Sequence, residues 1–201
     1  MTESQIFVSV ATFATLFELV PIAVFFLKKQ ERDFSQKLLL LAIILSFASD
    51  FFGMLNALWL EIPLISNAVS NLYWSFSILL LIWIYQIQLS NRNRTPFILL
   101  AIVMLSIHIS SIVFDTGMNG FNTKVRAIFS IVMMTLSLLF LFKLIREPSE
   151  KIIYRLPMFW ITCGFLIYYA GALFFFLARD YYISTLKSNV VLLWAGHNAI
   201  S

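Results

Sequence analysis

An all-α, polytopic membrane bundle is the fold class this sequence predicts, and three observations carry it. Of its 201 residues, 61% are hydrophobic and 12% charged, against ~45–50% and ~25% in soluble domains. The mean hydropathy is +0.90. The apolar residues gather into runs separated by short polar loops, and most runs are long enough, as helices of ~20 residues, to cross ~30 Å of hydrocarbon. The expected architecture is a single transmembrane helical domain over residues 1–201, with spans at about 7–27, 38–60, 63–89, 96–114, 125–142, 156–178 and 188–201. That is seven helices, the last one incomplete.

Phe7 to Leu27 ends against Lys28 and Lys29 and holds Glu18 near its midpoint, three residues before Pro21. It begins almost at the N-terminus without the basic n-region or small-residue cleavage site of a signal peptide, so it is expected to persist in the mature protein. Thr15, Glu18 and Ile22 share one face.

Leu38 to Leu60 carries one ionisable residue, Asp50. A carboxylate at that depth costs at least ~2.5–3.5 kcal/mol, so Asp50 is expected to face protein or a water-filled cavity rather than lipid. Ser46, Asp50, Gly53 and Ala57 recur at i, i+4, i+7 and i+11, which marks that face as the packed one.

Glu61, Ile62 and Pro63 make a turn, with Pro63 suited to the first turn of a third helix reaching about Leu89. Its first half carries a stripe of hydrogen-bonding groups, Asn67, Ser70, Asn71, Trp74 and Ser77, expected to lie against the second helix. The fourth span, Pro96 to Phe114, holds Ser106, His108, Ser110 and Ser111, and a turn-rich loop from Asp115 to Thr123 follows. The fifth, Val125 to Phe142, is mainly Ile, Leu, Met and Phe and reads as a lipid-facing helix. In the sixth, Leu156 to Ala178, Gly164 and Gly171 stand seven residues apart and predict a face of close helix approach. The segment from Ser188 to Ser201 gives only ~21 Å of helix, so the natural chain is expected to continue.

Four titratable groups are expected at similar depth. Glu18, Asp50 and His197 lie ~14–18 Å into their spans and His108 ~18 Å into its own, which places all four near the midplane. In the last segment Trp194, His197 and Ser201 fall on one face, with Asn198 alongside. The expected binding residues are therefore Glu18, Asp50, Asn71, Trp74, Trp194, His197 and Asn198, forming a polar pocket among helices one, two, three and seven. The competing reading is structural: buried polar groups in membrane helices commonly bond a neighbouring helix, at ~0.6 kcal/mol each.

No HExxH, Walker, GxSxG or CxxC pattern is present, so no enzyme motif, metal site or cofactor is implied. A single cysteine, Cys163, excludes an internal disulfide. Bis-histidine haem ligation by His108 and His197 is a third reading. Retinal chemistry is disfavoured, because Lys187 sits at the entrance of the last segment and no lysine lies within it.

Seven spans, basic inner loops and the Leu193-Trp194 … His197-Asn198 run in the last segment together resemble the seven-helix input modules of bacterial signalling proteins, of the type associated with histidine kinases. The resemblance implies a non-enzymatic sensor or receptor-like module in the bilayer, responding to a small ligand or proton and passing the signal to a cytoplasmic output domain or kinase partner. A proton-coupled transporter using the same residues is the alternative. It would be favoured by an inverted repeat, and no repeat is evident.

The net charge of +4 reads as a topology signal with some attraction to anionic lipid, and no basic patch with interleaved aromatic residues points to nucleic acid. The loops after spans one, three and five carry ten Lys and Arg, whereas the opposite side carries four: Lys124, Arg126, Arg179 and Lys187. The positive-inside rule therefore puts the N-terminus outside, and the resemblance implies the inner (cytoplasmic) membrane of a bacterial cell. A reporter inserted between Lys143 and Arg155 is expected to be cytoplasmic and one at Asn119 external. The reverse pattern would overturn this orientation.

Overall fold

The computed structural model describes residues 12–13, 15–27, 33–56, 63–89, 93–116, 122–146 and 153–185, with the backbone alone at 63–67, 115–116, 154 and 178–185. The described residues form six α-helices: α1 (Leu19–Leu27), α2 (Phe34–Leu55), α3 (Pro63–Leu89), α4 (Thr95–Ser111), α5 (Thr123–Arg146) and α6 (Pro157–Thr185). Five segments, Phe34–Leu55, Ala68–Leu89, Thr95–Phe114, Thr123–Arg146 and Pro157–Leu177, are long and apolar enough to span a bilayer. No strand occurs among the described residues, and the fold is an all-helical one with multi-pass character. The expected seventh segment, with Trp194, His197 and Asn198, lies outside the described residues.

Local chemistry explains the helix ends. The α2 helix starts four residues before the expected Leu38 because the Asp33 side chain caps it, accepting a 2.8 Å hydrogen bond from the Gln36 backbone N–H. Pro63 opens α3 and Pro96 stands in the first turn of α4, where a missing N–H costs nothing. An apolar helical stretch runs from Thr15 to Leu27, but its regular path is broken by a turn at Glu18. Pro21 supplies the cause, since it has no N–H for the Phe17 carbonyl and its ring crowds that carbonyl. The α4 helix runs on into a five-residue π-helical segment, Ile112–Thr116, which carries helical structure two residues past the expected end at Phe114.

The α3 helix is the hub, packing against α2, α4 and α5, while α1 lies on α2 and α6 packs extensively on α5. The core runs along Ile78, Leu81, Ile82, Ile84 and Tyr85 of α3 and Phe129, Met133, Leu136 and Phe140 of α5, joined by Met104 and Tyr169. Polar bonds pin α3 to α5 along this seam. Tyr85 Oη and Ser137 Oγ, both buried, are 2.7 Å apart. At the far end Lys143 Nζ donates to the last carbonyls of α3, Gln88 O at 2.9 Å and Leu89 O at 3.4 Å, where a cation also complements the helix dipole. Gln88 in turn donates to Ser35 Oγ of α2 at 2.8 Å.

Two expectations are corrected here. The fifth span is not a lipid-facing helix, because nine of its residues, from Val125 to Phe140, are buried. Its serines explain why: Ser130 and Ser137 return their hydroxyls to Arg126 O and Met133 O within the helix, so small polar side chains sit in the interface without orphaned groups. Gly164 and Gly171 do not mark a close approach either. Both are exposed, and a side chain added at either would meet nothing within 4 Å.

Candidate functional site

The site begins with the sheltered stripe of the first helical stretch. Thr12, Thr15, Glu18, Ile22 and Phe25 recur every three or four residues, and every other position with a described side chain from Phe13 to Leu27 is exposed. This stripe meets α2. Thr12 Oγ1 reaches Met54 Sδ at 3.5 Å, and Ser46 Oγ donates a 2.9 Å hydrogen bond to Glu18 Oε1. The other carboxylate oxygen, Glu18 Oε2, is buried with no hydrogen-bond partner among the described residues.

One turn beyond Ser46 on the same face is Asp50, within electrostatic reach of Glu18 on one side and of Arg126 on the other. Protein crowds its carboxylate, yet the side chain keeps exposed surface. A carboxylate both crowded and exposed at that position in an apolar helix needs water or a charge partner beside it. Tyr73 of α3 brings its hydroxyl beside Ser46 and Ser77 and within reach of both carboxylates, and Tyr168 of α6 senses Tyr73, Arg126 and both acids.

Arg126, counted among the outer-side charges at the start of the fifth span, is buried in the first turn of α5. The turn is set by Asn122, whose carbonyl accepts from the Arg126 N–H at 3.1 Å and whose side-chain oxygen accepts from the Ser111 hydroxyl at the end of α4. The Arg126 guanidinium lies over the Trp74 ring, 4.6 Å from its centroid, and Nη2 donates to Ser70 Oγ at 3.3 Å. Trp74 meets Phe129 edge-on at 5.8 Å, and Phe129 meets Tyr169 in the same manner at 5.8 Å, so an aromatic wall runs from the guanidinium to α6.

His108 closes the constellation on α4. It is 2% exposed, and its Nε2 is 3.2 Å from the Asn71 carbonyl, one turn before Trp74. Asn71 is itself 5% exposed, and its Nδ2 has no hydrogen-bond partner among the described residues. With Nε2 turned to a carbonyl, only Nδ1 would remain for a metal. Among the described residues no three His, Cys, Asp or Glu side chains converge as a metal site.

Of the expected binding residues, Glu18, Asp50, Asn71 and Trp74 thus belong to one connected neighbourhood, which also takes in Ser46, Ser70, Tyr73, His108, Arg126 and Tyr168. The neighbourhood lies where α2 and α4 end and α3 and α5 begin, so it sits toward one end of the bundle and not at the midpoints of the spans. The Ser70, Asn71 and Trp74 stripe was expected against the second helix, and these three residues instead meet His108 of α4 and Arg126 of α5. Comparison with family models, curated proteins and solved structures returned no match.

The exposure of Asp50 has a direct test. With Cys163 replaced by Ser, an Asp50→Cys variant in membranes should react with a charged, membrane-impermeant thiol reagent, whereas Ile78→Cys, at a position 0% exposed, should not. Equal protection of the two positions would show that no water reaches Asp50.

Proposed function

We propose that this chain is an integral membrane sensor module, non-enzymatic, in which occupancy or protonation of the Glu18–Asp50 crevice selects between two helix packings. The single observation that carries the reading is the convergence of two carboxylates and one guanidinium, from three different helices, inside apolar spans. Such groups are expensive in hydrocarbon and rare unless they serve a site. A response would follow from a stimulus with different affinity for the two packings.

In this reading the module lies in the inner membrane of a bacterial cell with its N-terminus outside, and it acts on a cytoplasmic output domain or kinase partner. Removing Arg126 from the outer count sharpens the basic asymmetry to ten against three, which supports that orientation. The charged groups that would face a proton arriving at Asp50 are Glu18 from the first helical stretch and Arg126 from α5, with Tyr73, Tyr168 and His108 around them.

Trp74 supplies a reporter, because its ring carries the Arg126 guanidinium. In proteoliposomes, the fluorescence of wild-type protein minus that of Trp74→Phe should change with external pH or on adding a ligand. Asp50→Asn keeps the shape of the side chain but cannot change charge, so it should retain the wild-type unfolding temperature and lose the pH response. A folded Asp50→Asn protein that responds like wild type would leave the acid a purely structural role. A coupled proton flux, read by a dye inside the vesicles, would favour the transporter instead.

A further inference from the structure

The packing of the helices leaves a groove between α2 and α6. Among the described residues α6 packs on α5 and not extensively on α1 or α2, while α2 lies along α3. The two walls nevertheless face each other, because Tyr168 of α6 is within electrostatic reach of Glu18 and Asp50, with Tyr73 of α3 between them. Tyr168 shares its face of α6 with Gly164, Gly171 and Phe175, which lie four residues before it and three and seven after. Both glycines are exposed, with nothing within 4 Å of a side chain added there. On the α2 wall Asp50 is exposed, and the buried Glu18 Oε2 beside it has no hydrogen-bond partner among the described residues. Arg126 reaches Asp50 from inside the bundle, so what the groove still calls for is a donor or cation on its open side.

We infer that residues 188–201, which lie outside the described residues, occupy this groove, with the His197 imidazole beside the Asp50 carboxylate. Length, level and chemistry each point there. Only Leu186, Lys187, Ser188 and Asn189 separate α6 from the apolar run Val190 to Ala195. A chain that re-enters hydrocarbon after so short a connection lies antiparallel beside the helix it has left. From a reversal at Leu186 and Lys187, His197 and Phe176 are each about ten residues away, or ~15 Å of helix, and so fall at one level. Phe176 packs with Ala127, the chain neighbour of Arg126, whose charge reaches Asp50. His197 and Asn198 bring the hydrogen-bond donors that Glu18 and Asp50 lack on that side. Lipid in the groove would leave Asp50 in hydrocarbon, and the described face of a second copy would bring the same acids again. The inference goes beyond the sensor reading and does not rest on it.

Cysteine cross-linking of the full chain in membranes tests it, in a Cys163→Ser background. Cysteines are placed one at a time from Leu193 to Ala199 and paired with Gly53→Cys on the α2 wall or Phe175→Cys on the α6 wall. Ala127→Cys with Ala172→Cys, which pack together, is the positive control. Ile102→Cys is the negative one, exposed on α4, which borders neither wall. Oxidation with copper phenanthroline should link at least one of the scanned positions to each wall within a single chain, and none to Ile102→Cys. Links to Ile102→Cys as efficient as those to the walls, links only between copies, or no link to either wall while the control pair forms would each overturn the inference. The pairing of side chains has its own readout. His197→Ala should lower the unfolding temperature of the wild type and leave that of Asp50→Asn unchanged. Equal losses in the two backgrounds would overturn that pairing. If His197→Ala fails to fold, the cross-links decide alone. A segment linked to both walls in a protein without a pH response would leave this inference standing and remove the sensor reading.

Discussion

An ionised side chain inside hydrocarbon is tolerated only where other charges or water compensate it, and this constraint organises the whole bundle. Asp50 keeps exposed surface on α2, so its charge has to be compensated at that surface. Arg126, in the first turn of α5, answers it across the bundle with its guanidinium laid on the Trp74 ring and tied to Ser70. Burying Arg126 draws the start of α5 into the interior, and the remainder of that helix follows, filling the core with Phe129, Met133, Leu136 and Phe140. The aromatic sequence Trp74, Phe129, Tyr169 then gives α6 its contact surface.

The consequence is a bundle with a firm part and a looser one. The seam of α3 and α5 is held by Arg126 with Ser70 and Trp74, by Phe129 with Trp74, by Tyr85 with Ser137, and by Lys143 with the end of α3. Among the described residues the first helical stretch packs mainly on α2 and is broken by a turn at Glu18, with Ser46 and Met54 as its polar links. A stimulus at the crevice therefore acts at the junction between these parts. Displacing the first stretch against α2 would break the Ser46–Glu18 bond and leave the α3–α5 seam intact, which is the kind of two-packing element a sensor needs.

Much of the fold was legible because hydrocarbon imposes a simple rule, that a run of ~20 apolar residues forms a helix. The α3 ends at Pro63 and Leu89 were readable from a proline that can only start a helix and from the polar segment beginning at Ser90. The face containing Ser46 and Asp50 was legible as spacing. Three things were not. Charge near a helix end looks the same whether it snorkels to water or turns inward, so the burial of Arg126 was not readable. The composition of α5 is that of a lipid-facing helix, and only its neighbours show that Ile, Leu, Met and Phe there pack on protein. Gly164 and Gly171 satisfy a spacing that permits close contact, but spacing cannot supply the partner helix, and none of the described residues comes within 4 Å of a side chain added there.

The central claim is that Asp50 and Arg126 compensate each other, and a double-mutant cycle measures it most directly. Unfolding free energies of wild type, Asp50→Asn, Arg126→Gln and the double variant, taken in bicelles, give their coupling. Asp50→Asn alone should cost little, since Arg126 keeps Ser70 and Trp74. Arg126→Gln should be the most damaging of the three, because it strands a carboxylate in the bundle, and the second substitution should recover part of the loss, with a coupling of at least ~1 kcal/mol. Additivity to within ~0.3 kcal/mol would mean the two charges do not sense each other, and the account of why α5 is central would be wrong.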